Sequence, residues 1–234
     1  MKKALKVLIK ILVFIVLIIA SISALYIQKG YQMYKAAIDN ASVENMVKII
    51  QDKPNYTKLS ELPKTYINAV ISVEDHRFYK HNGIDVIAIG RAFINDIKAM
   101  SFAEGGSTIT QQLCKNMYFT QDKKIERKIA EVFAAFNLER KYTKDQILEL
   151  YLNTCYFGDG YYTIKDATMG YFNKKPEEMT DSECIMLAGI PNAPSVYSPN
   201  KNPELAKERQ KQVINKMLKY KIITQKEANE ILKQ

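Results

Sequence analysis

Apolar positions recur at helical spacing from residue 64 to the end of the chain, while the alternation expected of strands is scarce. The spacing predicts a mostly α domain, punctuated by Gly and Pro at 82–83, 105–106, 158–160 and 191–199. Before it, Ile11 to Ala20 is unbroken apolar sequence, and its character runs on through Ser21 to Ile27, about long enough to span a bilayer. Lys2, Lys3, Lys6 and Lys10 precede that run, which predicts a cytoplasmic N-terminus and an extracytoplasmic body. Ile22-Ser23-Ala24 also suits a cleaved signal peptide, although the length of the run favours an uncleaved anchor. Three segments are therefore expected: a cytoplasmic tip and transmembrane anchor over 1–27, a polar juxtamembrane stalk over 28–53, and one domain over 54–234.

Within the domain, Ile67, Val70, Ile71 and Glu74 fall at i, i+3, i+4 and i+7, so Glu74 shares an apolar helix stripe. A carboxylate there loses hydration and gains pKa, as a general base needs, unless it simply ends the helix in solvent. His81, beside Asn82-Gly83, suits a loop brace better than a proton carrier. Gly105-Gly106-Ser107-Thr108 opens a helix with a capping box between Thr108 and Gln111. On that helix Ile109, Leu113 and Met117 make the buried stripe, and Thr108, Gln111, Gln112 and Lys115 share the other face. That polar face is either the wall of a groove or a solvated surface. Ile125, Ile129, Val132, Phe133 and Phe136 form the next stripe, flanked by Lys128 and Glu131, with Arg127 beyond. By spacing alone that flank is a weak surface ion pair. Thr143 to Gln146 caps another helix, and Asp159 is a turn residue with no second carboxylate at metal-ligand spacing. Pro203 to Gln234 reads as two short packing helices with a solvated charged face.

The formal net charge of +9 draws a tethered domain to lipid headgroups and lipid-linked phosphates. Nucleic acid is the runner-up and is poorly supported, because the lysines are scattered, no nucleic-acid motif is present and the anchor places the domain away from the genome. Cys114, Cys155 and Cys184 are odd in number and lack a C-x-x-C pair, so they are expected as small buried hydrophobes.

Taken in order, these segments closely resemble the peptidoglycan glycosyltransferases, glycosyltransferase family 51, which polymerise lipid-linked disaccharides into bacterial cell-wall glycan. Glu74-Asp75-His76-Arg77-Phe78-Tyr79-Lys80-His81-Asn82-Gly83 resembles the family's Glu-Asp-x-x-Phe-x-x-His-x-Gly motif, and Gly105 to Asn116 matches its second motif almost letter for letter. Arg127-Lys128-Ile129-Ala130-Glu131 is similar to Arg-Lys-x-x-Glu, Ile147 to Asn153 with Tyr156-Phe157-Gly158 to the fourth motif, and Leu187 to Pro194 to the fifth. The resemblance spans roughly residues 54 to 200. One departure stands out: after Gly160 the family usually has Ala-Tyr-Gly-Ile, and this chain has Tyr161-Tyr162-Thr163-Ile164, losing a glycine where φ > 0 is conceivable.

The resemblance implies a lysozyme-like α domain with a small mobile, membrane-facing lobe, preceded by one transmembrane helix and located at the cell membrane as a single-pass protein. It implies that Glu74 deprotonates the acceptor hydroxyl, which attacks the donor's anomeric carbon with inversion and expels undecaprenyl pyrophosphate. Lys115, Arg127 and Lys128 would meet the leaving charge, with Glu131 organising those cations or a divalent ion such as Mg or Mn. Thr108 and Gln112 would hold the donor, together with Ser107, Gln111 and Asn116, while Asp75, Phe78 and His81 shape the site. No organic cofactor is implied. The implied partners are lipid II, the growing glycan chain, the bacterial membrane and other cell-wall synthesis proteins. Ser198-Pro199-Asn200-Lys201 has the Ser-x-x-Lys spacing of a transpeptidase but no Lys-Thr-Gly after it, so a monofunctional enzyme is expected. A lysozyme or lytic transglycosylase and a non-catalytic scaffold of the wall-building machinery are the alternatives.

Overall fold

The computed structural model of the protein describes residues 2–99, 105–120, 122 and 124–233. Among these residues the fold is helical, with no strand beyond an isolated bridge between Asn82 and Ile84. Helix α1 (Lys2–Asn40) is continuous, and a turn capped by Ser42 leads into α2 (Val43–Gln51). Then come α3 (Lys64–Glu74), α4 (Val86–Ala99), α5 (Ile109–Tyr118), α6 (Ile125–Lys141), α7 (Lys144–Leu152) and α8 (Ile164–Phe172). The chain closes with α9 (Asp181–Gly189), α10 (Pro203–Lys219) and α11 (Gln225–Ile231). Helices α3, α9 and α10 pack on one another, and α5 packs on α6 and α7, around a core that includes Tyr66, Phe78, Leu113, Tyr151, Phe157 and Ile185. Cys114, Cys155 and Cys184 are free and buried in it, as their apolar settings suggest.

The expected stalk over 28–53 is not a separate element. Residues 28–40 are the end of α1, and α2 buries Val43, Val47 and Ile50 in the domain core. The apolar half of α1 is exposed along Leu5 to Ile27 and is long and apolar enough to cross a membrane, which fits a membrane-anchored protein. Its last turns lie along α6. Tyr31 and Tyr34 meet the ring of Phe133 at 5.3 and 5.8 Å, and Asn137 donates to the Tyr34 hydroxyl at 3.1 Å. Gly30 permits this approach, since a Cβ there would sit 2.5 Å from Ile129 Cγ2.

This contact corrects the one-sided reading of α6. The stripe of Ile129 and Phe133 is covered by α1, while the face turned to the core is made of Ala130, Glu131, Ala134, Ala135 and Leu138. Ile125 stays exposed. Small alanines let α6 approach α5 closely, and that closeness draws Glu131 into the interior.

Candidate active site

Glu74 is the last residue of α3, where the apolar stripe brings it to the inner wall of a cleft of about 520 Å³. It does not point to bulk solvent. Its Oε2 accepts a 2.8 Å hydrogen bond from Gln112 Nε2, and its Oε1 is buried with no hydrogen-bond partner among the described residues. Loss of hydration pushes its pKa above the usual carboxylate range, while the Gln112 bond and the charges of Arg209 and Lys115 pull the other way.

The loop after Glu74 is braced from several sides. Asp75 Oδ2 accepts from the Ile109 N–H at 3.1 Å at the start of α5 and lies 2.9 Å from His81 Nε2. Glu139 accepts from the Gly83 N–H, the Thr110 hydroxyl and Lys144, whose ammonium sits 4.4 Å from the Phe78 ring centre. Phe78 is fully buried and His81 nearly so, so both shape the loop from within and do not line the cleft.

The polar face expected on α5 divides. Gln112 and Lys115 line the cleft, but Thr108 and Gln111 are buried, at 1% and 3% exposure, because the helix cap consumes them. Thr108 Oγ1 accepts from the Gln111 N–H and donates to the Gly83 carbonyl at 2.6 Å, and Gln111 Oε1 accepts from the Thr108 N–H. Both residues, expected to hold a donor, are thus drawn into the helix cap and away from the cleft lining. Asn116 is exposed and bonds the Thr154 carbonyl, away from the cleft lining.

Ser107 lines the cleft and accepts from Lys128, which also pairs with Glu131 Oε2 at 2.7 Å. Arg127 pairs with Glu131 Oε1 from the same helix. Glu131, at 1% exposure, is therefore a buried carboxylate with a cation on each oxygen, and not half of a surface ion pair. Burial and the charges of Arg127 and Lys115 push the Lys128 pKa down to about 8, and burial with Arg127 lowers that of Lys115. Among the described residues, Glu131 is the one carboxylate paired with Arg127 and Lys128, and no cluster of three acidic, His or Cys side chains forms a ready-made divalent-ion site.

The wall opposite Gln112 comes from α10, whose charged face was expected to be solvated. Arg209, Gln212, Lys216 and Tyr220 line the cleft there, with Pro191 and Asn192 beside them and Arg91 from α4. His76 stacks on Tyr220 with ring centres 4.1 Å apart. Arg209 Nε donates to the Gly189 carbonyl at 3.2 Å, and its stem fills the space a Cβ on Gly189 would need. At the motif departure, Thr163 has φ −137°, which needs no glycine, and its hydroxyl caps α8 by accepting from the Asp166 N–H.

The result is a helical domain whose cleft is lined by one half-buried glutamate together with Arg91, Lys115, Arg209 and Lys216. Residues 40–218 match the family model described as Transglycosylase, and the chain belongs to that family, with its lysozyme-like helical fold. It is 51% identical to penicillin-binding protein 1F of Bacillus subtilis over 73% of this chain and 24% of the relative. Penicillin-binding protein 1A of Neisseria gonorrhoeae is 43% identical over 79% of this chain and 23% of the relative. The chain thus spans about a quarter of the length of these curated relatives. Among solved structures, penicillin-binding protein 1A of Haemophilus influenzae aligns with a TM-score of 0.46 and 24% identity, over 76% of this chain and 17% of that one.

Proposed function

We propose that this protein polymerises lipid II into peptidoglycan glycan strands by inverting glycosyl transfer, releasing undecaprenyl pyrophosphate. The observation that carries the reading is Glu74: a desolvated carboxylate with one oxygen held by Gln112 and the other buried and unpaired beside the cleft. Such a group can take a hydroxyl proton as that oxygen attacks an anomeric carbon. The bond between that carbon and the pyrophosphate then breaks, and the negative charge grows on the leaving oxygen.

Beyond the effect of burial, the charge of Arg127 lowers the pKa of both Lys115 and Lys128, and Lys115 lowers that of Lys128, so the three form one concentrated positive field for the leaving diphosphate. Ser107, bonded to Lys128 at the cleft wall, adds a hydroxyl beside it. Glu131 keeps Arg127 and Lys128 in place. Across Glu74, Arg209, Lys216 and Arg91 meet the second substrate's phosphates. A hydrolase that cuts a sugar–sugar bond has no such charge to hold, so the cation walls favour a transferase.

The α1 lysines put the N-terminus in the cytoplasm and the domain outside the membrane. Helix α4 exposes Val86, Ile87, Ile89 and Ile94 next to the cleft-lining Arg91, and this apolar face meets the bilayer so that lipid tails stay there while headgroups reach Glu74. Other cell-wall synthesis proteins and the growing strand are its partners. The test is to feed the protein lipid II in one reaction and finished glycan in another. Lengthening of the first without shortening of the second is expected, and the opposite result overturns the reading.

A further inference from the structure

Tyr151 on α7 has no place in the roles above, yet its hydroxyl ends beneath the cleft. It is 1% exposed and donates to Gln112 Oε1 at 3.1 Å, while Gln112 Nε2 donates to Glu74 Oε2 at 2.8 Å. A glutamine amide has a donor end and an acceptor end, and turning it over exchanges them. Turned over, Gln112 would aim its carbonyl at Glu74, which repels an ionised carboxylate and welcomes a protonated one. A phenol donates better than it accepts, and burial keeps the Tyr151 proton on, so the hydroxyl holds the amide oxygen on its own side.

We propose that Tyr151 is a positioning residue for the base. Through Gln112 it keeps the carboxylate of Glu74 ionised and decides which oxygen is tied down and which is left for the acceptor hydroxyl. This rests on the assignment of Glu74 as the base. The other groups facing Glu74 are distributed around it and do not supply the same bond. Arg209 from α10 and Lys115 from α5 act on it as charges, and Asp75 opposes them from its own segment. Lys216, Arg91, His76 and Tyr220 line the same cleft. Tyr66 and Cys155 lie below, and burial holds both their protons on, the Cys155 thiol being pushed up to about 12, so the thiol that also bonds the Tyr151 hydroxyl brings its own proton.

The test uses the full membrane-anchored protein and the variant Tyr151→Phe, which keeps the ring and removes the hydroxyl. Loss of one neutral hydrogen bond is expected to raise the Glu74 pKa by about half to one unit. Polymerisation of lipid II is then slowed about three- to tenfold on the acidic limb, and the wild-type-to-variant ratio falls towards one as pH rises. A purely structural role would lower the rate equally at every pH. In parallel, ¹³C NMR of δ-labelled glutamate follows Glu74 without substrate, the Glu74→Gln protein identifying its resonance. That titration is expected to move up by the same amount. Gln112→Met removes the intermediary, and adding Tyr151→Phe to it is expected to shift nothing further. A pH-independent rate ratio, an unmoved resonance or an additive double variant overturns the proposal for Tyr151. Undiminished polymerisation by Glu74→Gln overturns the base assignment instead, and the resonance still reports whether Tyr151 acts on the carboxylate.

Discussion

Glu74, at the cleft, and Glu131, inside α6, are the same side chain in one molecule, and their surroundings make them opposites. Glu131 is enclosed by Arg127 and Lys128 with both oxygens engaged, so the charge it carries is spent on holding cations. Glu74 has a single neutral donor, one buried unpaired oxygen, and a pKa raised by lost hydration. The difference teaches that a buried carboxylate becomes reactive when it is left partly unsatisfied, and becomes structural when it is fully paired.

The comparison can be broken or sharpened in order of effect. Glu74→Gln removes the proton acceptor with little change in shape, and kcat for polymerisation is expected to fall on the order of 10³-fold. Glu131→Gln leaves Arg127 and Lys128 without their counter-charge. A loss of about 3 kcal/mol in unfolding free energy by denaturant titration, with a roughly tenfold fall in kcat, is expected. The two sites also give different pH limbs. Glu74 works ionised, so kcat/KM rises with pH through its elevated pKa. Lys128 works charged and titrates at about 8, so kcat/KM falls as pH rises past that value. In Lys128→Arg the basic limb is expected to move up while the acidic limb stays. The smallest effect is at Gly30, where a side chain would strike Ile129 and the Glu126 carbonyl on α6. Gly30→Leu is expected to cost about 1–3 kcal/mol by overpacking, seen in thermal unfolding, and to raise KM without moving the acidic limb.

Much of this site was legible in the sequence, and its gaps have physical causes. Glu74, Gln112 and Lys115 sit on stripes whose phase points them at the cleft, so periodicity and motif agree. The capping box at Thr108 and Gln111 was also readable, but not that capping would bury both residues. Arg209, Lys216 and Tyr220 escaped because a charged helix face carries no mark of what it packs beside, and here the partner is α3, more than a hundred residues earlier. Glu131 looked like a surface pair for a similar reason: its burial depends on an alanine face meeting α5. Residues 28–40 looked like a stalk because the partner of their sparse apolar positions, α6, is distant in sequence.

The most direct test of the unequal roles is the turnover of Glu74→Gln and Glu131→Gln side by side at saturating lipid II, in protein shown to be folded. The account predicts that Glu74→Gln retains at least tenfold less kcat than Glu131→Gln, and equal losses, or the reverse order, would contradict it.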